Sequence, residues 1–385
     1  MIPLSCPLIE KDDIETVLAV LRSDRLSMGP MTEEFERLVA EYVGVKHAIA
    51  VSSGTAALHL ILRSSGFEGK YMLVPSFTFV ASANVALFEG KVPLFVDIDE
   101  RTFNVSPQTL EDVLLRIEKG KYEINGEKVN LKEVCCFMAV DIFGHPLDWD
   151  KVTEVLGKYG IPVIEDSCEA LGSEYKGRKV GTFGIAGAFA FYPNKQITTG
   201  EGGVIVTDDD KVAKLSRSMR NQGRGEGGEW LLHVRLGYNY RIDEMSAALG
   251  VSQMRKIDRI IDMRSEVAKR YEELLRGIDG VRPPVVENYV SRMSWFVYVV
   301  LLDENMNRDA VMEYMEKRGI QVRNYFQPVH LQPLYREMGH SEGELPVTEN
   351  VSKRTLALPF YSALSLEDQK IVVETLKEAI ERVGT

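Results

Sequence analysis

The chain has 385 residues, 45% hydrophobic and 27% charged, which suits a folded globular protein and excludes a disordered or low-complexity one. A formal net charge of -11 argues against nonspecific binding to nucleic acid or to an acidic membrane surface. Cys6, Cys135, Cys136 and Cys168 show neither a disulfide framework nor metal-ligand spacing, and no apolar run reaches the roughly 18 residues a membrane helix needs, so a cytoplasmic protein without a structural metal is expected.

Residues 1–10 read as an extended arm. Apolar spacing predicts a helix over 11–22, carried by Ile14, Val17, Leu18 and Leu21, and a second over 32–42 capped by Thr32. A strand at 47–51 runs into Ser52-Ser53-Gly54-Thr55, where a new helix begins. Strands are then expected at 71–74, 92–96, 134–140 and 162–164, separated by helices at 80–88, 107–117 and 148–159. Residues 119–130 read as an inserted surface hairpin or loop. Strands alternating with helices predict a mostly parallel sheet covered on both faces, with ligands bound beyond the carboxyl ends of its strands. Residues 187–191 and 203–207 complete that sheet as a hairpin-like pair, and a helix follows over 211–219. Residues 221–230 read as a glycine-rich loop with a mobile look. A single long helical region is expected from Asp243 to about Leu275, then a strand at 295–302, a helix at 308–318, a short strand at 322–324, a loop at 325–335 and a closing helix at 366–383. The division expected is a large α/β domain over 1–250, with its N-terminal arm, and a bridging helix with a small α+β domain over 251–385.

Three groups suggest chemistry. Lys195 sits between two strands in a Gly-, Pro- and Asn-rich turn; an amine held in apolar surroundings can be neutral and attack a carbonyl, although a solvent-facing lysine fits the same turn. Ser53, Gly54 and Thr55 at a helix start offer unpaired amides and hydroxyls to a phosphate, or an ordinary helix cap. Asp166 follows an apolar strand at the ligand edge. Pyridoxal phosphate requires these three things: an amine for its aldehyde, an anion seat, and a carboxylate that keeps the ring nitrogen protonated. Phe79 could lie on the ring or pack in the core. Glu165 fits either a substrate-side carboxylate or a cap, and His59 a packed helix position. Asp97 and Asp99 suit turns better than a metal. Nicotinamide and P-loop sites are disfavoured, because neither GxGxxG nor GxxxxGK followed by Ser or Thr occurs in the required context.

Several segments, in order and spacing, resemble the DegT/DnrJ/EryC1/StrS family of sugar aminotransferases: Leu26-Ser27-Met28-Gly29-Pro30, Ser53-Gly54-Thr55-Ala56-Ala57, Pro75-Ser76-Phe77-Thr78-Phe79, Val163-Ile164-Glu165-Asp166, Phe191-Tyr192-Pro193-Asn194-Lys195, Gly200-Glu201-Gly202-Gly203, Gly237-Tyr238-Asn239-Tyr240-Arg241 and Val329-His330-Leu331-Gln332. The resemblance implies fold type I, with a mostly parallel seven-stranded sheet between helices, and pyridoxal 5'-phosphate as cofactor. It implies that Lys195 is the Schiff-base lysine and shuttles the proton. Gly54 and Thr55 would hold the phosphate, Phe79 would stack on the ring, Asp166 would face the ring nitrogen and Glu169 would stand beside the phenolic oxygen. Asn239 would reach the phosphate across a homodimer with shared sites, while Ser27, Met28, Arg241 and His330 would approach the sugar. The implied reaction moves an amino group from L-glutamate to a nucleotide-linked keto-deoxysugar, at C4 on the pattern of residues 191–196. A dehydratase or lyase, or a noncatalytic regulatory relative, is the alternative. Two positions depart from the commonest pattern. Glu169 replaces Gln or His, and its charge would repel a phenolate unless it is protonated, turned away or on the sugar. Ala190 replaces a serine, leaving the phosphate seat one hydroxyl poorer.

Overall fold

The computed structural model describes residues 1–124, 126–225 and 231–383. Seven strands form the central sheet: β1 (His47–Val51), β2 (Tyr71–Pro75), β3 (Val92–Val96), β4 (Val134–Val140), β5 (Val163–Asp166), β6 (Ala186–Ala190) and β7 (Gly203–Thr207). Their spatial order is β1-β7-β6-β5-β4-β2-β3. β7 runs antiparallel to both of its neighbours, and every other pairing is parallel. The carboxyl ends of β1, β4, β5 and β6 therefore meet the start of β7 along one edge.

Helices cover both faces because alternate side chains of each strand point opposite ways. Met72 and Val74 of β2 pack with α3 (Gly54–Ser65), whereas Tyr71 and Leu73 pack toward α5 (Pro107–Glu118) and α6 (Trp149–Tyr159). Beneath β1 and β7 lie α2 (Pro30–Val43) and α8 (Glu244–Met254), and α1 (Lys11–Leu21) rests on α8. The remaining helices before the small sheet are α4 (Ala81–Phe88), α7 (Asp210–Arg220) and α9 (Ile257–Leu275).

A second sheet of three antiparallel strands, β8 (Val281–Arg282), β9 (Tyr298–Leu302) and β10 (Thr355–Leu358), packs with α9, α10 (Arg308–Lys317) and α13 (Leu366–Val383). Between them lie α11 (Pro333–Glu337) and α12 (Pro346–Arg354). The N-terminal arm crosses to this region: Ile2 donates to the Gly319 carbonyl at 2.8 Å, and Leu4 to Gln321 Oε1 at 3.1 Å.

Several expectations need correcting. Thr32 is not the cap of α2. Gly29 holds that position, Pro30 fills the first turn, and Glu244 of α8 accepts from the amides of Gly29, Met31 and Thr32 at 2.8, 2.8 and 3.0 Å. A carboxylate at a helix N-terminus satisfies amides that lack partners within the helix. The long helix after Asp243 is two helices. Its apolar spacing is unbroken, but at the junction Lys256 turns its nearly buried amine onto Glu10, Asp12 and Asp13. The hairpin within 119–130 forms from Glu123–Ile124 and Glu127–Lys128, and it buries Tyr122, Ile124 and Val129 instead of lying free on the surface. The strand expected at 322–324 is one bridge between Arg323 and Ala357, and α12 and β10 have no counterpart in the sequence reading. Of the glycine-rich loop expected at 221–230, residues 226–230 lie outside the described residues.

Candidate active site

A cavity of about 500 Å³ opens at the carboxyl edge of the sheet. Gly54, Thr55, Phe79, Asp166, Glu169 and Lys195 all line it. These six residues, up to 141 positions apart (54 to 195), converge there because β1, β5 and β6 end at the same edge.

The start of α3 forms one wall. Ser53 accepts from Ala56 N through its hydroxyl at 3.1 Å and from Ala57 N through its carbonyl at 3.0 Å. Gly54 and Thr55 amides have no protein acceptor among the described residues. A Cβ on Gly54 would come within 2.7 Å of Ala190 Cβ, and one on Gly203 within 2.4 Å of the Ser53 carbonyl oxygen. These glycines let β6, β7 and the helix start approach closely enough to make a tight anion cradle.

Asp166 ends β5 and is 6% exposed. Ser82 Oγ donates to its Oδ2 at 2.6 Å and Cys168 N to its Oδ1 at 3.2 Å, fixing the carboxylate at the cavity floor. Glu165, one residue earlier, points to the other face by strand alternation. It accepts from Gly181 N at 2.6 Å, from Gly184 N at 2.5 Å and from Phe183 N, so it locks a turn and is not a substrate-side carboxylate. Burial pushes its carboxyl up to about 7 against the pull of those amides.

The Lys195 turn is fastened at several points. Lys195 N donates to Tyr192 O, and Thr199 N to Phe191 O. Gln196 Nε2 donates to the Glu169 carbonyl at 2.6 Å and to Ser294 Oγ at 2.9 Å. The Lys195 side chain is 12% exposed; its Nζ lies 3.5 Å from Glu169 Oε1 and 3.8 Å from the centre of the Phe296 ring. It is therefore not a solvent-facing lysine. Glu169 turns its other oxygen to Phe143 N at 2.9 Å. Burial raises the Glu169 carboxyl above the usual range, while Lys195 and the Phe143 amide pull it down. Burial thus favours the protonated form that would spare a nearby phenolate from repulsion.

The other expected residues stand apart from the cavity. Ser27 bridges Asp243, Asn239 bridges Asn221, and Arg241 Nη1 donates to Asn221 Oδ1 at 3.0 Å. Ser27 and Asn239 are exposed, and Met28 partly so. His330 does not reach a substrate surface. It is fully buried, with Nδ1 2.6 Å from Ser76 Oγ and Nε2 3.1 Å from Glu349 Oε1, so it ties α12 to the end of β2. Sequence reasoning missed Ser82, Phe296 and Tyr325. Ser82 had a signal, a hydroxyl among small residues one turn past Phe79. The two aromatics had none, because they come from the distant C-terminal region.

The residues fit pyridoxal phosphate: an amine, a carboxylate opposite a helix-start anion cradle, and glycines whose side-chain atoms would fill that cradle. Asn194 Oδ1, buried beside Lys195 without a partner among the described residues, is a further acceptor at the same cavity.

Likeness to known proteins agrees. Residues 7–377 match the DegT/DnrJ/EryC1/StrS aminotransferase family. The chain is 33% identical to the spore coat polysaccharide biosynthesis protein SpsC of Bacillus subtilis, over 98% of this chain and 97% of that one. It is also 33% identical to the GDP-perosamine synthase of Caulobacter vibrioides, over 98% of each. The solved structure of PseC, a Helicobacter pylori aminotransferase involved in the biosynthesis of pseudoaminic acid, superposes with a TM-score of 0.90 at 27% identity, over 99% of both chains. The chain belongs to the DegT/DnrJ/EryC1/StrS family and is a pyridoxal-phosphate-dependent aminotransferase of fold type I.

Proposed function

We propose that the protein transfers the amino group of L-glutamate to C4 of a nucleotide-linked keto-deoxysugar, working as a homodimer with shared sites. The full-length likeness to a GDP-perosamine synthase carries this reading, supported by a cavity that presents an amine, a carboxylate and an anion cradle together. When bound, pyridoxal phosphate supplies an electron-accepting ring that carries the amino group between donor and acceptor.

The chain's own residues do the rest. The helix start at Gly54 and Thr55 holds the phosphate. Asp166, oriented by Ser82 and the Cys168 amide, sets a negative charge where a protonated ring nitrogen needs it. Phe79, at the lip of the cavity, covers the ring face. Lys195 Nζ takes the proton from the Cα of glutamate and delivers one to the sugar carbon being aminated. Phe296 and Tyr325 keep water from that amine. Ser27, Met28 and Arg241 lie outside the cavity and would meet the nucleotide sugar there, and Asn239 would complete the neighbouring subunit's phosphate seat.

Purified protein incubated with glutamate and each of a panel of keto-deoxysugar nucleotides should yield one aminated product, seen as a mass shift and assigned to C4 by NMR. Amination at C3 would correct the regiochemistry. Failure of every sugar nucleotide, with another keto acceptor aminated instead, would overturn the substrate class.

A further inference from the structure

Arg264 of α9 is 3% exposed and has no carboxylate partner among the described residues. Its Nε donates to the Trp295 carbonyl and its Nη2 to the Phe296 carbonyl, both at 2.6 Å, and its guanidinium lies 5.0 Å from the centre of the Phe360 ring. Burial pulls the guanidinium down to about 9, so it is still charged at neutral pH. A buried charge with no counter-charge is costly unless it is hydrogen-bonded, and here two of the five guanidinium N–H donors go to two successive carbonyls.

Those carbonyls belong to a segment fixed from several sides. Trp295 has a φ of +55°, a conformation that a bulky residue adopts only when its surroundings impose it. Ser294 N donates to Ser173 Oγ at 2.9 Å, and Phe296 N to the Phe143 carbonyl at 3.2 Å. Ser294 Oγ accepts from Gln196, the residue after Lys195. The outcome is that the Phe296 ring sits under Lys195 Nζ at 3.8 Å, with Glu169 on another side at 3.5 Å. An amine on four rotatable bonds is thereby held in one place, by an aromatic face and a carboxyl that both attract it.

We propose that Arg264 and Phe296 form a positioning unit for the reacting amine: Arg264 fixes the Trp295–Phe296 backbone, and the Phe296 ring holds free Lys195 where an incoming aldehyde must meet it. This rests on Lys195 as the amine that captures the cofactor, and Arg264 itself touches neither cofactor nor substrate.

The test uses protein freed of cofactor, mixed with pyridoxal phosphate, with capture followed as the growth of visible absorption. Phe296→Leu should slow capture about tenfold, because a lysine amine released from the ring returns to its other rotamers, a loss of order worth about 1.5 kcal/mol. Arg264→Met should slow it to a similar degree, and Arg264→Lys should recover part of the rate. The double variant Arg264→Met with Phe296→Leu should be no slower than the slower single, because one residue acts through the other. In steady state both singles should lower kcat and leave KM for glutamate unchanged. Capture by Phe296→Leu within twofold of the parent, or effects of the two changes that multiply, would overturn the proposal. Should Arg264→Met not fold, Phe296→Leu still decides the role of the ring, since leucine fills most of its volume. A Lys195→Ala protein that captures the aldehyde with the same absorption would instead overturn the assignment of Lys195, so the two failures are told apart.

Discussion

The cavity around Lys195 and the outer surface around Leu236 are built in opposite ways. In the cavity the buried charged groups have partners within the same chain: Asp166 has Ser82 and the Cys168 amide, and Glu169 has Lys195 and the Phe143 amide. On the outer surface Leu231, Leu232, Val234 and Leu236 are 53, 44, 49 and 65% exposed. Clustered exposed apolar side chains are unusual on a protein that works alone. Phe79 and Tyr192 belong to both environments, since they line the cavity and yet are 60 and 53% exposed. The contrast separates buried groups that are satisfied within one chain from an exposed apolar surface near Asn239, which is where the second subunit of the proposed dimer would pack.

The sharpest way to break the first half of that comparison is to remove the amine. Lys195→Ala should lower turnover by roughly 10²–10⁴-fold or more, as expected for loss of a positioned proton-transfer group, and should remove the visible absorption of the bound cofactor. Retained turnover would mean that another group does the chemistry. The second half is tested at Leu236. Placing a charge there, as Leu236→Glu, should cost association about 2 kcal/mol per side chain, or roughly thirtyfold. Light scattering at low protein concentration should then show the mass of one chain, and activity should fall while the circular dichroism of the fold is kept. A variant that remains a dimer with full activity would place the subunit interface elsewhere.

What could be read from the sequence followed the same division. The order of strands and helices across 47–207 was legible because parallel strands buried on both faces leave continuous apolar runs. Lys195 and Asp166 were legible because polar residues at the ends of such runs stand out. Partners far away in sequence were not. Thr32 looked like a cap because its residue type is right, yet the capping carboxylate is Glu244, 212 positions later. Lys256 breaks a helix that the apolar spacing would continue, because three acids of the N-terminal segment wait there. His330 looked like a ligand for sugar, but Glu349 and Ser76 enclose it. Phe296, under the key amine, reads in sequence as one more apolar residue before a strand.

Glu165 sharpens the comparison from the buried side. The folded chain holds its carboxyl at about 7, above the ordinary 4.5. Between those values the folded state keeps a proton that the unfolded chain has released, so stability should fall as pH rises from about 4.5 to about 7 and then level off. Glu165→Gln lacks this proton. Denaturant unfolding at pH 5, 6, 7 and 8 should show the parent's advantage over the variant shrinking by about 2–3 kcal/mol across the range. A constant gap would mean that the three amides around Glu165 offset its burial completely.

The smallest effect is expected at Ala190, which touches the place where a Gly54 side chain would be. Ala190→Ser adds one hydroxyl beside the Gly54 and Thr55 amides without adding a branch, so the close approach of β6 to the helix start should survive. One extra hydrogen bond is worth about 1 kcal/mol, and the phosphate should leave roughly fivefold more slowly. The rate of cofactor loss into an excess of a trapping apoenzyme measures this directly. Slower loss in Ala190→Ser would show that the cradle accepts another donor and that this chain works with a seat one group short. Equal rates would show that the helix start and the two glycines already supply all that the phosphate can use.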